Sequence, residues 1–516
     1  MHFGIWLRAL ILALVAPLIS TASFAETTTK EKVLAALPKL EEIAQEQVAN
    51  GGVPALSIAI VYQDEVVYTG GFGLREEGKP GTVDADTVFQ LASLSKPVSS
   101  TVVAALVSEG LVGWDSRISD LDPAFRLAQP YPTEQVTVTD LFAHRSGLSG
   151  NAGNDLEGLG FDRNTILSRL HLLKPTSSFR AGYAYSNFGL TEGAVAAAKP
   201  TGKSWEDVTK EKLFAPLGMD STSSRHEDFL KHANRAELHA KYRGKWTPLV
   251  KRNPDPQSLA GGISSNVRDL AQWMRLVLGN GKFDGKQLIK EEALAPSHAP
   301  LIDRGDNPVS GGPSFYGLGW NLGYTRYGTQ WGHAGAFSQG ARTVVCLLPE
   351  TQLGVVVLSN AFPTGVPDGL CDVYFDLVFK GDVTDDWIAK WNAIYGSMFG
   401  PVLEAAQKLY GTPPASPSPA LPFAAYAGTY ANDYLGNAEV VEGNGGLQLR
   451  LGPDGERSFP LSHFDRDLFI YYPEAETPGM PYSVTFEIGP DQTARQVTIE
   501  DLNDDGQGVL ERVEQD

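Results

Sequence analysis

The sequence predicts an α/β (α+β) protein: one antiparallel sheet flanked by helices with an inserted helical region, then a small C-terminal all-β, barrel-like domain. Three observations predict it. Runs rich in β-branched and aromatic residues ("ALSIAIVYQDEVVYTGGFGL"; "TQWGHAGAF", "ARTVVCLLPE", "QLGVVVLSN") lie near both ends of a long first segment. From Pro97 to about residue 300, helical patterns alternate with Gly/Pro/Asn loops. Strands at both ends with helices between them imply one sheet closed by the two ends of its chain. Beyond the Pro/Ser/Ala stretch "YGTPPASPSPALPF", short alternating runs such as "LQLRLG", "DLFIYY" and "YSVTFEIG" take over.

The elements follow in order. "MHFGIWLRALILALVAPLISTASFAETTTK" has one arginine, an apolar run, and Ser23 and Ala25 at small cleavage-site positions. It reads as a signal peptide, residues 1–25, with a retained anchor as the alternative. No later apolar run is long enough to span a bilayer, so a periplasmic or secreted protein without a membrane span is expected. "PKLEEIAQEQVAN" gives a short helix, and the first two strands turn near Gln63 and Asp64. An amphipathic helix near "DGLCDVYFDLVF" closes the first domain, placed at 26–398, with a linker at 399–423. Residues 424–516 hold 18 acidic and 5 basic residues and no lysine, and carry −13 of the chain's net −19. This domain is expected to shape access to a site rather than to perform chemistry.

The negative charge excludes nucleic-acid binding, which needs a basic footprint. Cys346 and Cys371 are the only cysteines of the 516 residues. Export permits one bridge between them, and two separate buried thiols fit equally well. His226, His232 and His239 lack the i, i+4 spacing of helical zinc sites, so no metal and no cofactor are expected. "DLNDDGQGVLER" partly copies a calcium loop, but Arg512 stands where the closing Glu belongs, and a hairpin turn fits better.

"QLASLSKPVSS" carries the chemistry. A proline is tolerated in the first turn of a helix, whose leading amides have no internal partner. A helix opening near Ser93 therefore places Ser93 and Lys96 on one face at i and i+3, and turns Ser95 away. A serine hydroxyl needs a base to take its proton, and a buried lysine can be that base. Chance supplies about one or two S-x-x-K matches in a chain of this length, so the motif decides nothing alone. Tyr185 and Asn187 follow in "YSN", 92 residues after Ser93, and His333 and Gly335 in "HAG" on a predicted strand. Taken singly, Tyr185 fits a core tyrosine, Asn187 a turn residue and His333 a structural histidine.

Together and in this order, the motifs resemble the serine β-lactamase/penicillin-binding-protein superfamily, in its class C-like branch with Y-x-N and H-x-G. "TDLFAHRSGL", "LFAPLGMDST", "LAGGISSNVRDLAQWM" and "YGLGW" resemble further family segments, over residues 35 to 380. The resemblance implies Ser93 as nucleophile, and Lys96 with Tyr185 as the proton-handling pair, the phenol pulled down by the lysine ammonium. It implies Asn187, reached if its segment is extended, as a holder of Lys96 and substrate. The amides of Ser93 and Ala336 would form the oxyanion hole, and Gly335 would leave space for substrate. His333, where relatives carry lysine, would demand a substrate carboxylate less strictly, the preference strengthening as pH falls through its own pKa. His144 would pack behind the site. The acidic β-domain resembles a lipocalin-like domain appended to some D-amino-acid-specific peptidases. The implied activity is an acyl-enzyme hydrolase of D-residue-containing peptides or amides. A carboxylesterase, a β-lactamase and a non-catalytic peptidoglycan-binding scaffold are the alternatives. Implied partners are a small peptide, amide or ester substrate, with self-association left open.

Overall fold

The computed structural model describes residues 28–443, 445–473 and 479–514; the predicted leader, residues 1–25, lies outside them. Helix α1 (Leu37–Ala49) leads into strands β1 (Ala55–Tyr62) and β2 (Glu65–Gly73). The two-residue turn between them places Gln63 and Asp64 at φ of 48° and 64°, the left-handed pair that matches the twist of a tight hairpin. The inserted region contributes α2 (Ser95–Ser108), α3 (Asn154–Leu159), α4 (Asn187–Ala198) and α5 (Val267–Leu278). It also holds a small hairpin, His239–Tyr242 with Lys245–Thr247.

Six strands then complete the sheet: β3 (Ile302–Asp306), β4 (Pro313–Tyr316), β5 (Asn321–Thr325), β6 (Gly328–Phe337), β7 (Ala341–Leu348) and β8 (Leu353–Ser359). The order is β2-β1-β8-β7-β6-β5-β4-β3. Ile58 of β1 lies opposite Val357 of β8, antiparallel, so the two ends of the domain meet inside the sheet, one strand in from its β2 edge.

Both faces of that strand pair are covered, which requires apolar residues throughout. Ala59 and Val61 enter one core with Leu358 and the amphipathic α5, while Leu56, Ile58 and Ile60 enter the other with α1 and helix α6 (Val366–Lys380). Helix α2 is buried from Ser95 through Leu106, as side chains that are apolar or small everywhere but at Lys96 demand. Cys346 of β7 and Cys371 of α6 are both free and buried. The neighbouring Cys346 thiol and burial push Cys371 up.

Helix α7 runs Trp387–Tyr410, so the linker does not begin at residue 399. Ala406 is buried and the Tyr410 ring meets Phe464 of the second domain edge to face, which holds the helix until the prolines stop it. The C-terminal domain is a closed eight-stranded antiparallel barrel, β9 (Gly428–Asn432), β10 (Gly436–Gly443), β11 (Gly446–Leu451), β12 (Arg457–Asp465), β13 (Leu468–Tyr471), β14 (Tyr482–Ile488), β15 (Ala494–Ile499) and β16 (Val509–Arg512). The calcium-like segment forms the turn between β15 and β16. Among the described residues no helix is long and apolar enough to cross a membrane.

Candidate active site

Ser93 sits on a single 3₁₀ turn, Ala92–Leu94, that leads into α2; the α-helix itself opens two residues later than the spacing predicts. Ala92 is held at φ 48°, a left-handed conformation costly for a residue with a Cβ. Within Leu91–Ser100 every residue is buried except Ser93, which is half-buried and so open to a ligand. Ser95 is fully buried and accepts the Ile263 amide at 3.0 Å, so its hydroxyl points away from Lys96.

Lys96 Nζ is fully buried and has three oxygen neighbours: Ser93 Oγ at 3.1 Å, Asn187 Oδ1 at 2.7 Å and the Ala260 carbonyl at 3.0 Å. It also stands 4.4 Å from the centroid of the Tyr185 ring. Burial drives the lysine well below its ordinary value, opposed by the charge of Glu157. A neutral amine has two N–H groups and one lone pair. The carboxamide and carbonyl oxygens can only accept, so they take the two N–H groups and leave the lone pair for the Ser93 hydroxyl.

Burial pushes the Tyr185 phenol up rather than down, against the opposing pull of the neighbouring Ser93 hydroxyl. The expected phenolate is thereby disfavoured: desolvation penalises the anion more than the serine hydroxyl favours it. Asn187 is not on an extended segment. Ser186 caps α4 by accepting the Gly189 amide at 3.2 Å, and Asn187 is the first helical residue, its Nδ2 donating to Asn154 Oδ1 at 3.2 Å. His144 lies behind this loop, where Nδ1 accepts the Ser186 amide at 3.1 Å and its ring stands 4.6 Å from that of Tyr185.

On β6, His333 is buried, with Nε2 2.8 Å from the Tyr316 hydroxyl and Nδ1 2.8 Å from the Ala334 carbonyl. The carbonyl requires a proton on Nδ1, so Nε2 accepts from the phenol. Burial holds the imidazole well below its ordinary value. His333 is therefore neutral with both nitrogens engaged, and the expected pH-gated cation is absent at this position. Gly335 differs from expectation too: a Cβ there would collide with the Leu91 carbonyl and Thr343 Oγ1, so the glycine admits the nucleophile's own turn rather than substrate. Ala336, next along β6, is half-buried. The fixed cation at the rim is Arg304 of β3, exposed, with its guanidinium 5.4 Å from the Tyr183 ring centroid and 5.8 Å from that of Tyr316.

The structure thus gathers Ser93, Tyr185 and Asn187 around the Lys96 amine and sets His333, Gly335 and Ala336 along the adjoining strand. It adds Asn154, Glu157, Ala260, Tyr316 and Arg304. Ala260 and Tyr316 fall within "LAGGISS" and "YGLGW", whereas Asn154, Glu157 and Arg304 carry no local signal.

A domain carrying such a buried serine–lysine–tyrosine cluster against an inner strand of an antiparallel sheet is a serine hydrolase of the β-lactamase type. The chain belongs to the β-lactamase family, whose model ("Beta-lactamase") matches residues 40–374, and residues 412–511 match a domain of unknown function (DUF3471). It is 27% identical over 412 residues to unguisins hydrolase ungD' of Aspergillus campestris (strain IBT 28561), covering 75% of this chain and 74% of that protein. It is 23% identical over 347 residues to the D-alanyl-D-alanine-carboxypeptidase/endopeptidase AmpH of Escherichia coli (strain K12), covering 64% and 86% respectively. The structure of the octameric penicillin-binding protein homologue from Pyrococcus abyssi shares the fold, with a TM-score of 0.56 at 22% identity over 90% of this chain and 98% of that one.

Proposed function

We propose that this hydrolase acts through an acyl-enzyme on peptide or amide bonds, with D-residue-containing peptides as its first substrate class. The observation that carries the acyl-enzyme step is the Lys96 lone pair aimed at Ser93 Oγ, 3.1 Å away. In this scheme Lys96 takes the Ser93 proton as Oγ bonds to the substrate carbonyl carbon. The ammonium formed is offset by the oxyanion, which the amides of Ser93 and Ala336 receive. Collapse breaks the C–N bond, and the leaving amine takes the proton from Lys96, with the Tyr185 hydroxyl beside Ser93 as relay. Water then cleaves the ester by the same route in reverse. The D-peptide class is supported by the name of AmpH.

For a substrate carboxylate the cation on this chain is Arg304 rather than His333. An ester or amide without that carboxylate meets no buried unpaired cation on β6, and the neutral His333 favours a carboxylesterase as the second reading. Export to the periplasm or medium, resting on the leader, belongs to the same proposal.

Incubation with a fluorophosphonate and intact-mass measurement should show one adduct, mapped to Ser93. D-peptide, L-peptide, ester and cephalosporin substrates then rank the classes. An adduct elsewhere, or none, overturns the acyl-enzyme reading. Fast cephalosporin turnover with slow peptide and ester cleavage replaces the D-peptide reading with a β-lactamase.

A further inference from the structure

The barrel reaches the catalytic lysine. Helix α3 has only six residues, too few to be stable alone, and it is bounded by Gly153 and Gly160 at φ of 84° and 95°. Barrel residues hold both of its ends. At the start, the Gly153 amide donates to Tyr434 Oη at 3.0 Å, and Tyr434 Oη donates to Asp155 Oδ1 at 2.7 Å. At the other end, Gly452 lies so close to the Leu159 carbonyl that a Cβ would collide with it. The preceding loop is pinned as well: Ser149 Oγ donates to Asp505, and Asn151 Nδ2 to Asp504 Oδ2 at 3.0 Å.

Helix α3 in turn presents two groups to the site. Asn154 Oδ1 takes the Asn187 Nδ2 proton at 3.2 Å, which fixes the amide so that Asn187 Oδ1 faces Lys96 at 2.7 Å. Glu157, paired with Arg252 at 2.9 Å, places its charge near the same lysine.

We propose that Tyr434 of the C-terminal barrel is a positioning residue for Lys96, acting through α3, Asn154 and Asn187. This rests on the acyl-enzyme reading above. The barrel then does more than shape access: it holds the lysine's amide partner in register from outside the catalytic domain. The groups facing Lys96 are Tyr185, His144, His333 and, through α3, Glu157 with Arg252. Of these, only Glu157 moves with α3. Losing its charge and the Asn187 acceptor makes the lysine less basic.

The test is the pH dependence of fluorophosphonate labelling in the full chain for wild type, Tyr434→Phe, Asn154→Ala and the double variant. Both single variants should label about ten- to a hundred-fold more slowly on the plateau. Their acid limb should move to lower pH by about half a unit or more. The double variant should be no worse than the slower single, because the residues act in one chain. An acid limb in Tyr434→Phe that coincides with wild type overturns the proposal, whatever the rate. If Tyr434→Phe loses its native circular dichroism or melting transition, Asn154→Ala, which leaves the barrel contacts in place, decides by the same criterion. A wild type that does not label at Ser93 sinks the hydrolase reading and this proposal with it. Labelled wild type with unshifted variants sinks only the proposal.

Discussion

The two domains bury their strands in opposite ways. In the sheet domain, β1, β7 and β8 are buried at every position, because helices cover both faces. In the barrel, strands such as β11 alternate, with Leu447, Leu449 and Leu451 inward and Gln448 and Arg450 outward. A doubly covered strand ties two cores together and holds α2, and with it Ser93 and Lys96, on a platform fixed by packing and by buried hydrogen bonds such as that of Ser95. A barrel that buries one face has its other face and its turns free to bind something else, and here Tyr434 and Gly452 bind α3 while the turn at Asp504 and Asp505 binds the loop before it. The difference separates the groups that do chemistry from those that hold one of them in place, and substitutions can test that separation.

The largest effect is expected on the platform. Ser93→Ala should abolish fluorophosphonate labelling, while Ser95→Ala should keep it and lose about 1–3 kcal/mol of stability in urea melts, since the Ile263 amide loses its acceptor. Labelling that survives Ser93→Ala would move the nucleophile. Lys96→Met should slow acylation by about 10²–10⁴-fold without loss of thermal stability, because it removes a desolvated amine from an apolar setting.

Across the domain contact the effects should be smaller. Gly452→Ala forces a Cβ at φ 87° against Leu159, with an expected cost of about 1–3 kcal/mol and slower labelling; a fully active, fully stable variant would show that α3 does not depend on the barrel. Asp155 sharpens the same contact through pH. Burial, reinforced by Asp505, pushes its carboxyl to about 6 against the Tyr434 bond. The native state therefore holds a proton that the unfolded chain, titrating near 3.8, releases. That contribution is present below about pH 4 and is lost as pH rises through 6. Asp155→Asn, which cannot ionise, should be more stable than wild type at pH 7.5, by at most about 3 kcal/mol, and level with it near pH 4 in chemical denaturation. The smallest expected change is at His333: the ratio of kcat/KM for carboxylate-bearing and neutral esters should stay flat from about pH 5.5 to 8. A ratio rising as pH falls would restore His333 as a titrating cation.

The pieces of the site that were legible in the sequence are those whose partners lie one turn or two residues away: Ser93 with Lys96, and Tyr185 with Asn187. The doubly covered strands were legible as apolar runs for the same local reason. Asn154 and Glu157 were not, because they meet Lys96 only through a short helix that barrel contacts hold. Nor were β9, β12 and β16: "GTYAN" is short, "RSFPLSHFD" is interrupted by Pro460, and "VLER" has four residues. The direction of the Tyr185 and His333 shifts depends on burial, which residue type and spacing do not report.

Gly335 sets a length. The turn bearing Ser93 rests on the bare backbone of β6, with no side chain between them. The gap between nucleophile and strand is therefore a contact distance, as incompressible as any packed interior, and no hinge spans it. The nucleophile thus keeps one offset from β6, and differences in what the site admits are left to the residues at its rim.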